Sequence, residues 1–223
     1  MPTSRPGLWS LVLVPALVTL LVTGLRLYGE MQDWNPSLFS RAAGGGGALV
    51  GISWLVLLFG FWFGWRLRRG GERVGIGRAL ALYLVAGGVF AGGVWALTKF
   101  QFVVFPQPEA PGKPTGMPYM LGLMGLVVLV SLAAWPRLTL TLIAYGLLAR
   151  IPVVVITWFA VQNDWGSHYD KLGPGVAAST TMEKFLFLSM AQVTFWPFVF
   201  TTVAGGVVGS LGAALAGKGR QDY

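Results

Sequence analysis

The chain reads as an all-α bundle of six transmembrane helices, N-in and C-in, forming a single transmembrane domain over residues 1–223. Three observations predict this. The first is length without charge: no Asp, Glu, Lys or Arg occurs from Pro6 to Leu25, Ala42 to Trp65, Ala79 to Thr98, Pro114 to Pro136 or Phe185 to Gly217, and Leu138 to Asn163 carries only Arg150. A helix crosses a bilayer with ~20 largely apolar residues. The second is composition: 55% of 223 residues are hydrophobic, with a mean hydropathy of +0.67. One soluble core does not bury that much uninterrupted apolar helix. The third is where the charges fall. Arg66, Arg68, Arg69, Arg73 and Arg78 crowd one short loop, and with Arg5, Arg137, Lys218 and Arg220 they share a side if the helices alternate in direction. Glu30, Asp33, Glu109, Asp164, Asp170 and Glu183 fall on the other side, diluted by Arg41, Lys99, Lys113, Lys171 and Lys184. Basic loops stay in the cytoplasm.

The spans follow in order. Span one is about 8–27, with Pro15 as a bend. It is too long for a signal-peptide h-region and lacks a small-residue cleavage site, so it reads as a retained anchor. Trp34-Asn35-Pro36-Ser37 marks a turn, and the glycines Gly44 to Gly47 precede span two, about 48–65. Span three is about 79–97. Pro106, Pro108, Pro111 and Pro114 keep the next external loop extended and irregular. Span four, about 119–134, turns at Trp135-Pro136 into span five, about 138–161. The longest external loop, Gln162 to Lys184, leads to span six, about 185–216, which has length to tilt and a kink site at Pro197.

The tryptophans fit this register. Trp9, Trp62, Trp65 and Trp135 fall at cytoplasmic ends and Trp34, Trp95 and Trp165 at external ends, as an aromatic belt requires. Trp54, Trp158 and Trp196 lie deeper, as packing residues. The net charge of +8 raises the question of nucleic acid. Its concentration in Arg66–Arg78 points instead to topology and to anionic lipid headgroups. Cysteine is absent, which excludes disulfides, thiolate metal sites and cysteine nucleophiles.

Small residues recur every fourth position at Gly88, Gly92 and Ala96 in span three, and at Gly205, Gly209, Ala213 and Gly217 in span six. That spacing lets helix backbones approach closely in lipid. The expectation is tight packing inside the chain. The alternative is a homodimer or complex seam through Gly205, Gly209 and Ala213. The two halves show no repeat of the inverted-transporter kind.

Arg150 is the leading site candidate. It lies thirteen residues after Arg137 and fourteen before Asp164, about 20 Å from each along a helix. A charge at that depth faces a polar interior. Gly146, Thr157 and Asp164 share its face by helical offset. A structural alternative is that Arg150 satisfies the Leu148 carbonyl that Pro152 cannot serve. Thr19, Thr23, Arg26 and Glu30 form a second polar stripe on span one. Arg26 and Glu30 are spaced either as a surface ion pair worth a few tenths of a kcal/mol or as site residues. Gln192, with Ser189 one turn earlier, is a third polar contribution. The ligand-binding candidates are therefore Arg150, Arg26, Glu30, Thr157, Asp164 and Gln192, around a pocket open to the outside. No acid lies at the depth of Arg150, so its counter-charge falls to a ligand.

The loop Asn163-Asp164-Trp165-Gly166-Ser167-His168-Tyr169-Asp170 holds the one histidine. His168 beside Asp170 has the makings of a general base. One histidine with two aspartates names no metal, and the plainer reading is a loop whose Asp and Ser cap turns while Trp and Tyr rest in the headgroups. The glycines Gly44 to Gly47, after Ser40 and Arg41, offer amides at a helix start but no Walker lysine; a flexible or tightly packed link is the simpler expectation. There is no G-x-S-x-G, H-E-x-x-H, dinucleotide glycine pattern or haem histidine pair, so neither metal nor cofactor is expected.

The glycine tract, Ala149-Arg150-Ile151-Pro152-Val153 and Trp165 to Asp170 together resemble bacterial multi-span integral membrane proteins of unknown function. The resemblance implies no activity. The reading that results is an inner-membrane protein that binds or passes a small polar or anionic species, or a lipid headgroup, around Arg150. The alternatives are an accessory subunit of a larger membrane complex and a membrane enzyme using His168.

Overall fold

Six helices and no strands account for the fold among the described residues of the computed structural model, which are 6–45, 47 and 50–217. Arg5, Gly46, Ala48, Lys218 and Arg220 lie outside that set. The helices are α1 (Leu8–Met31), α2 (Leu55–Arg69), α3 (Ile76–Lys99), α4 (Met117–Ala134), α5 (Pro136–Asn163) and α6 (Thr181–Leu215). All but α2 are long and apolar enough to cross a membrane.

Local chemistry sets the boundaries. Gly116, in the left-handed region at φ 75°, and Pro118 open α4. Pro136 opens α5, where a missing N–H costs nothing. Thr180 accepts from the Glu183 amide, and the Glu183 carboxylate accepts from the Ser179 amide, a capping box in all but one residue's offset. The kink expected at Pro197 is a π-helical stretch, Trp196–Phe200, set within α6. The Thr194 carbonyl there accepts from the Phe198 amide.

Arg137 donates to the Pro6 carbonyl and pairs with Glu72. These bonds gather the start of α1, the α2–α3 loop and the α4–α5 turn at one end. The other end holds the C-terminus of α1, residues 33–45 and 50–54, the irregular stretch 100–116 and the 164–180 loop. Gly112 and Val176 join the last two by a single bridge.

Span two differs most from expectation. Its helix begins at Leu55 rather than near residue 48, and runs to Arg69. Fifteen residues reach about 22 Å, short of the ~30 Å hydrocarbon core. Residues 42–54, where described, hold turns and a single 3-10 turn at Ala43–Gly45. Glycine disfavours helix by ~1 kcal/mol per residue, and Gly44, Gly45 and Gly47 all have positive φ. Non-helical backbone at membrane depth survives where protein buries it or a water-filled cavity lies beside it.

The glycine spacing works inside the chain. A Cβ at Gly60 would stand 2.7 Å from the Gly205 Cα, and one at Gly64 would overlap the Gly209 carbonyl. Gly205 and Gly209 are buried against α2 and α5, and Ala213 is buried one turn further on. The seam suggested for a partner is thus filled by α2 of the same chain. In α3, Gly88 and Gly92 touch nothing, whereas their neighbours Gly87 and Gly93 pack on Val203 and Leu123. Two tryptophans also depart from expectation: Trp135, expected in the cytoplasmic belt, is buried in the core, and Trp54, expected as a deeper packing residue, is half exposed.

Candidate functional site

The stripe on α1 faces inward as its spacing requires. Thr19, Thr23, Arg26 and Glu30 are all buried. Thr19 bonds the Tyr145 hydroxyl across to α5 at 2.9 Å. Arg26 and Glu30 are no surface pair, since their side chains are 7% and 0% exposed. The Arg26 guanidinium donates Nε to Glu30 Oε1, Nη1 to the Val50 carbonyl, and Nη2 to the carbonyls of Ser40 (2.8 Å) and Gly45 (3.1 Å). Arg26 therefore satisfies two carbonyls of the unwound segment, those of Gly45 and Val50, and the Ser40 carbonyl just before it. Gly45 allows this approach, because a Cβ there would sit 3.1 Å from Nη2.

Glu30 ties in the distant loop. Its carboxylate accepts from the His168 backbone amide at 3.0 Å and lies 2.5 Å from His168 Nδ1. His168 is not an exposed loop residue; its side chain is 18% exposed and its ring lies 3.9 Å from that of Tyr169. Tyr169 does not rest in the headgroups but is buried against Val153 and Ala160. Burial and the nearby Glu30 carboxylate push its phenol well above the usual range, so it stays neutral. Asp170 is buried and accepts from the Gly166 amide and the Ser167 hydroxyl, both at 2.9 Å. It caps its own loop.

Arg150 is buried on α5. Nη1 donates to Gln192 Oε1 at 2.9 Å, and the guanidinium carbon lies 4.3 Å from the Trp196 ring centroid. Its bond goes to α6, not to the Leu148 carbonyl. Among the described residues no carboxylate pairs with it.

These elements enclose one cavity of about 440 Å³. Thr23 and Arg26 come from α1, Gly44, Gly45 and Gly47 from the unwound segment, Arg150 and Thr157 from α5, His168 and Lys171 from the loop, and Gln192 and Trp196 from α6. Of the sequence candidates, Arg150, Arg26, Thr157, Gln192 and His168 meet here. Glu30 stands behind the wall, holding Arg26 and His168. Asp164 does not reach the cavity. It ends α5 in the left-handed region at φ 44°, and its 87%-exposed carboxylate faces Lys184 at 3.6 Å. Helical offset fails for it because the helix stops there. Gly146 packs on Pro197 and Thr201, and Ser189 is buried without lining the cavity.

Trp196 and Lys171 were not singled out as site residues by sequence. Trp196 lies four residues after Gln192, on the same helical face, so its place was readable. Nothing in the sequence marks Lys171. Among the described residues the cavity wall thus combines three basic side chains, one histidine and no carboxylate, which suits an anion.

No known protein family matches the chain. Neither a curated protein nor a solved structure matches it. The cavity itself is therefore the ground for a functional reading.

Proposed function

We propose that this chain is a multi-pass protein of the bacterial inner membrane that binds or passes a small anionic or polar species, or an anionic lipid headgroup, at an outward-opening site around Arg150. One observation carries the reading. A buried guanidinium has one N–H on Gln192 and one face on Trp196, and no carboxylate among the described residues balances it. Its other nitrogens are neither bonded to described residues nor sealed from the cavity. Charges inside a membrane protein are expensive and mark ligand and ion pathways. Arginine offers a planar fork suited to oxyanions.

The test is binding by the full chain in nanodiscs. Wild type should bind a small oxyanion, Arg150→Leu should lose it, and Arg150→Lys should recover only part, because a lysine makes a point contact. Equal binding by wild type and Arg150→Leu would refute the site. The outward opening follows from charge: the cavity lies at the end opposite the Arg66–Arg78 loop, and that loop belongs in the cytoplasm. A single cysteine at Gly71 should resist an impermeant reagent applied to intact cells. Labelling from outside would reverse the orientation.

A second reading has its own observation. Gly88 and Gly92 of α3 face open space, which is the surface an accessory subunit would offer to a partner helix. Co-purification that is lost in Gly88→Leu would favour it.

A further inference from the structure

The cavity wall is built from two unlike sets of residues. Arg150 and Lys171 line it and form no ion pair among the described residues. Ile52 and Trp54 from the unwound segment and Leu188 and Trp196 from α6 line it as well, and they are apolar or aromatic. The volume of about 440 Å³ is that of a pocket for an organic ligand, ~300–1,000 Å³. A single inorganic oxyanion would use the Arg150 end and leave the apolar set against water.

The apolar set lies at hydrocarbon depth. The fifteen residues of α2 end on Arg66, Arg68 and Arg69, which belong at the headgroups. Measured from there, about 22 Å of helix stops short of the far face of a ~30 Å core. Trp54, the residue before α2, therefore stands within the bilayer, and it is 50% exposed. On α6, Leu188, Gln192 and Trp196 share one face at four-residue spacing. Gln192 and Trp196 both touch Arg150, and Leu188 lies one turn before Gln192. Its neighbours Leu186 and Val193 are exposed on other faces of the helix. The residues of α6 after Phe200 pack on α2, whereas those before Thr194 pack on α5. The bundle thus parts between the start of α2 and the first half of α6, and Trp54 and Leu188 border the gap.

We propose that the ligand is an anionic phospholipid that enters sideways from the bilayer through this gap. The inference rests on the anion-binding reading of Arg150 and narrows its ligand to an amphiphile. The lipid phosphate accepts from the Arg150 guanidinium and from the Gln192 side-chain amide, whose oxygen is already taken by Arg150. Its acyl chains run out past Trp54 and Leu188 and stay in the hydrocarbon. A guanidinium and a phosphate that would each be costly in lipid are there joined by charge-assisted hydrogen bonds.

The experiment places the full chain in phosphatidylcholine nanodiscs doped with phosphatidylglycerol and counts the lipids retained by native mass spectrometry. Phosphatidylglycerol should be retained at least ~10-fold above its share of the disc, the scale of one hydrogen bond to a charged group. Arg150→Leu should remove that enrichment. If Arg150→Leu fails to fold, Gln192→Leu carries the same comparison with a smaller loss. Benzoylphenylalanine placed at Leu188 should cross-link phosphatidylglycerol in a manner lost with Arg150→Leu. Placed at Leu186, on another face at nearly the same depth, it should cross-link bulk lipid regardless of Arg150. In discs of phosphatidylcholine alone, added glycerol phosphate should bind more weakly than the lipid.

Arg150-dependent binding of glycerol phosphate without enrichment of phosphatidylglycerol would overturn the lipid ligand and leave the anion site standing. Enrichment with cross-linking at Leu188 that ignores Arg150→Leu would overturn the sideways path. If neither the lipid nor glycerol phosphate responds to Arg150→Leu, the underlying reading falls as well.

Discussion

At Gly60 and Gly64 the backbone of α2 lies against Gly205 and Gly209 of α6. Earlier in the chain, before α2 begins, Gly44, Gly45 and Gly47 line an open cavity. Both regions depend on glycine, for different reasons. In the first, the missing Cβ lets two helices meet with nothing between them, which gives dispersion contact in a solvent that supplies no hydrophobic drive. In the second, positive φ breaks the helix, and Arg26 bonds the carbonyls of Gly45 and Val50 there and of Ser40 just before it. The closed end is held by packing and the open end by charge. One bundle thereby keeps a polar space without losing its scaffold.

If the open end is held by charge, breaking its ion pair should do the most damage. Glu30→Ala leaves Arg26 buried beside the backbone and releases His168. We expect a loss of about 3–5 kcal/mol, read as a large fall in thermal midpoint in detergent. A small shift would mean that Arg26 is held by the carbonyls alone. The closed end should respond next. Gly64→Ala forces a methyl onto the Gly209 carbonyl and should cost about 3 kcal/mol, the upper range for overpacking. Gly88→Ala is the matched control. With nothing near its Cβ, it should be neutral or stabilising by about 0.5–1 kcal/mol.

His168→Ala falls between these. The loop reading of the sequence implied an exposed residue and a change within ~0.5 kcal/mol. The bonds to Glu30 replace that expectation. Hydrogen bonds to charged groups contribute ~1.5–3 kcal/mol, so a loss of about 1.5 kcal/mol is expected. In an Ala double-mutant cycle, His168 and Glu30 should couple strongly, while His168 and Asp170 should not.

Much of this was legible from residue order alone. Long uncharged runs place five helices to within a few residues, because hydrocarbon thickness fixes their length. The stripe Thr19–Glu30 follows from helical periodicity, and Gln192 stands out as a polar residue in an apolar span. Pro197 marks the π stretch. What escaped was long-range or non-periodic. Glu30 and His168 are 138 residues apart, and no local pattern joins them. The start of α2 was placed too early because residues 48–54 are apolar, and hydropathy does not distinguish a helix from an unwound segment whose carbonyls are bonded elsewhere. Asp164 was assigned to the site by extending a helix beyond its end.

What balances the buried Arg150 charge decides between binding and scaffold. A buried charge kept for binding is often a stability burden, and an apolar replacement is then neutral or stabilising. A charge kept to satisfy backbone is missed, because unpaired carbonyls in lipid cost several kcal/mol. The most direct measurement is an experimental density map of the full chain in nanodiscs with phosphate and phosphatidylglycerol present, alongside Arg150→Leu at matched thermal stability. The account predicts a bound anion between Arg150, Gln192 and His168 in the wild type, an empty or water-filled cavity in the variant, and near-equal melting of the two. A wild-type map in which the Arg150 guanidinium turns onto an α5 carbonyl with no anion beside it, together with a variant that melts far lower, would contradict it.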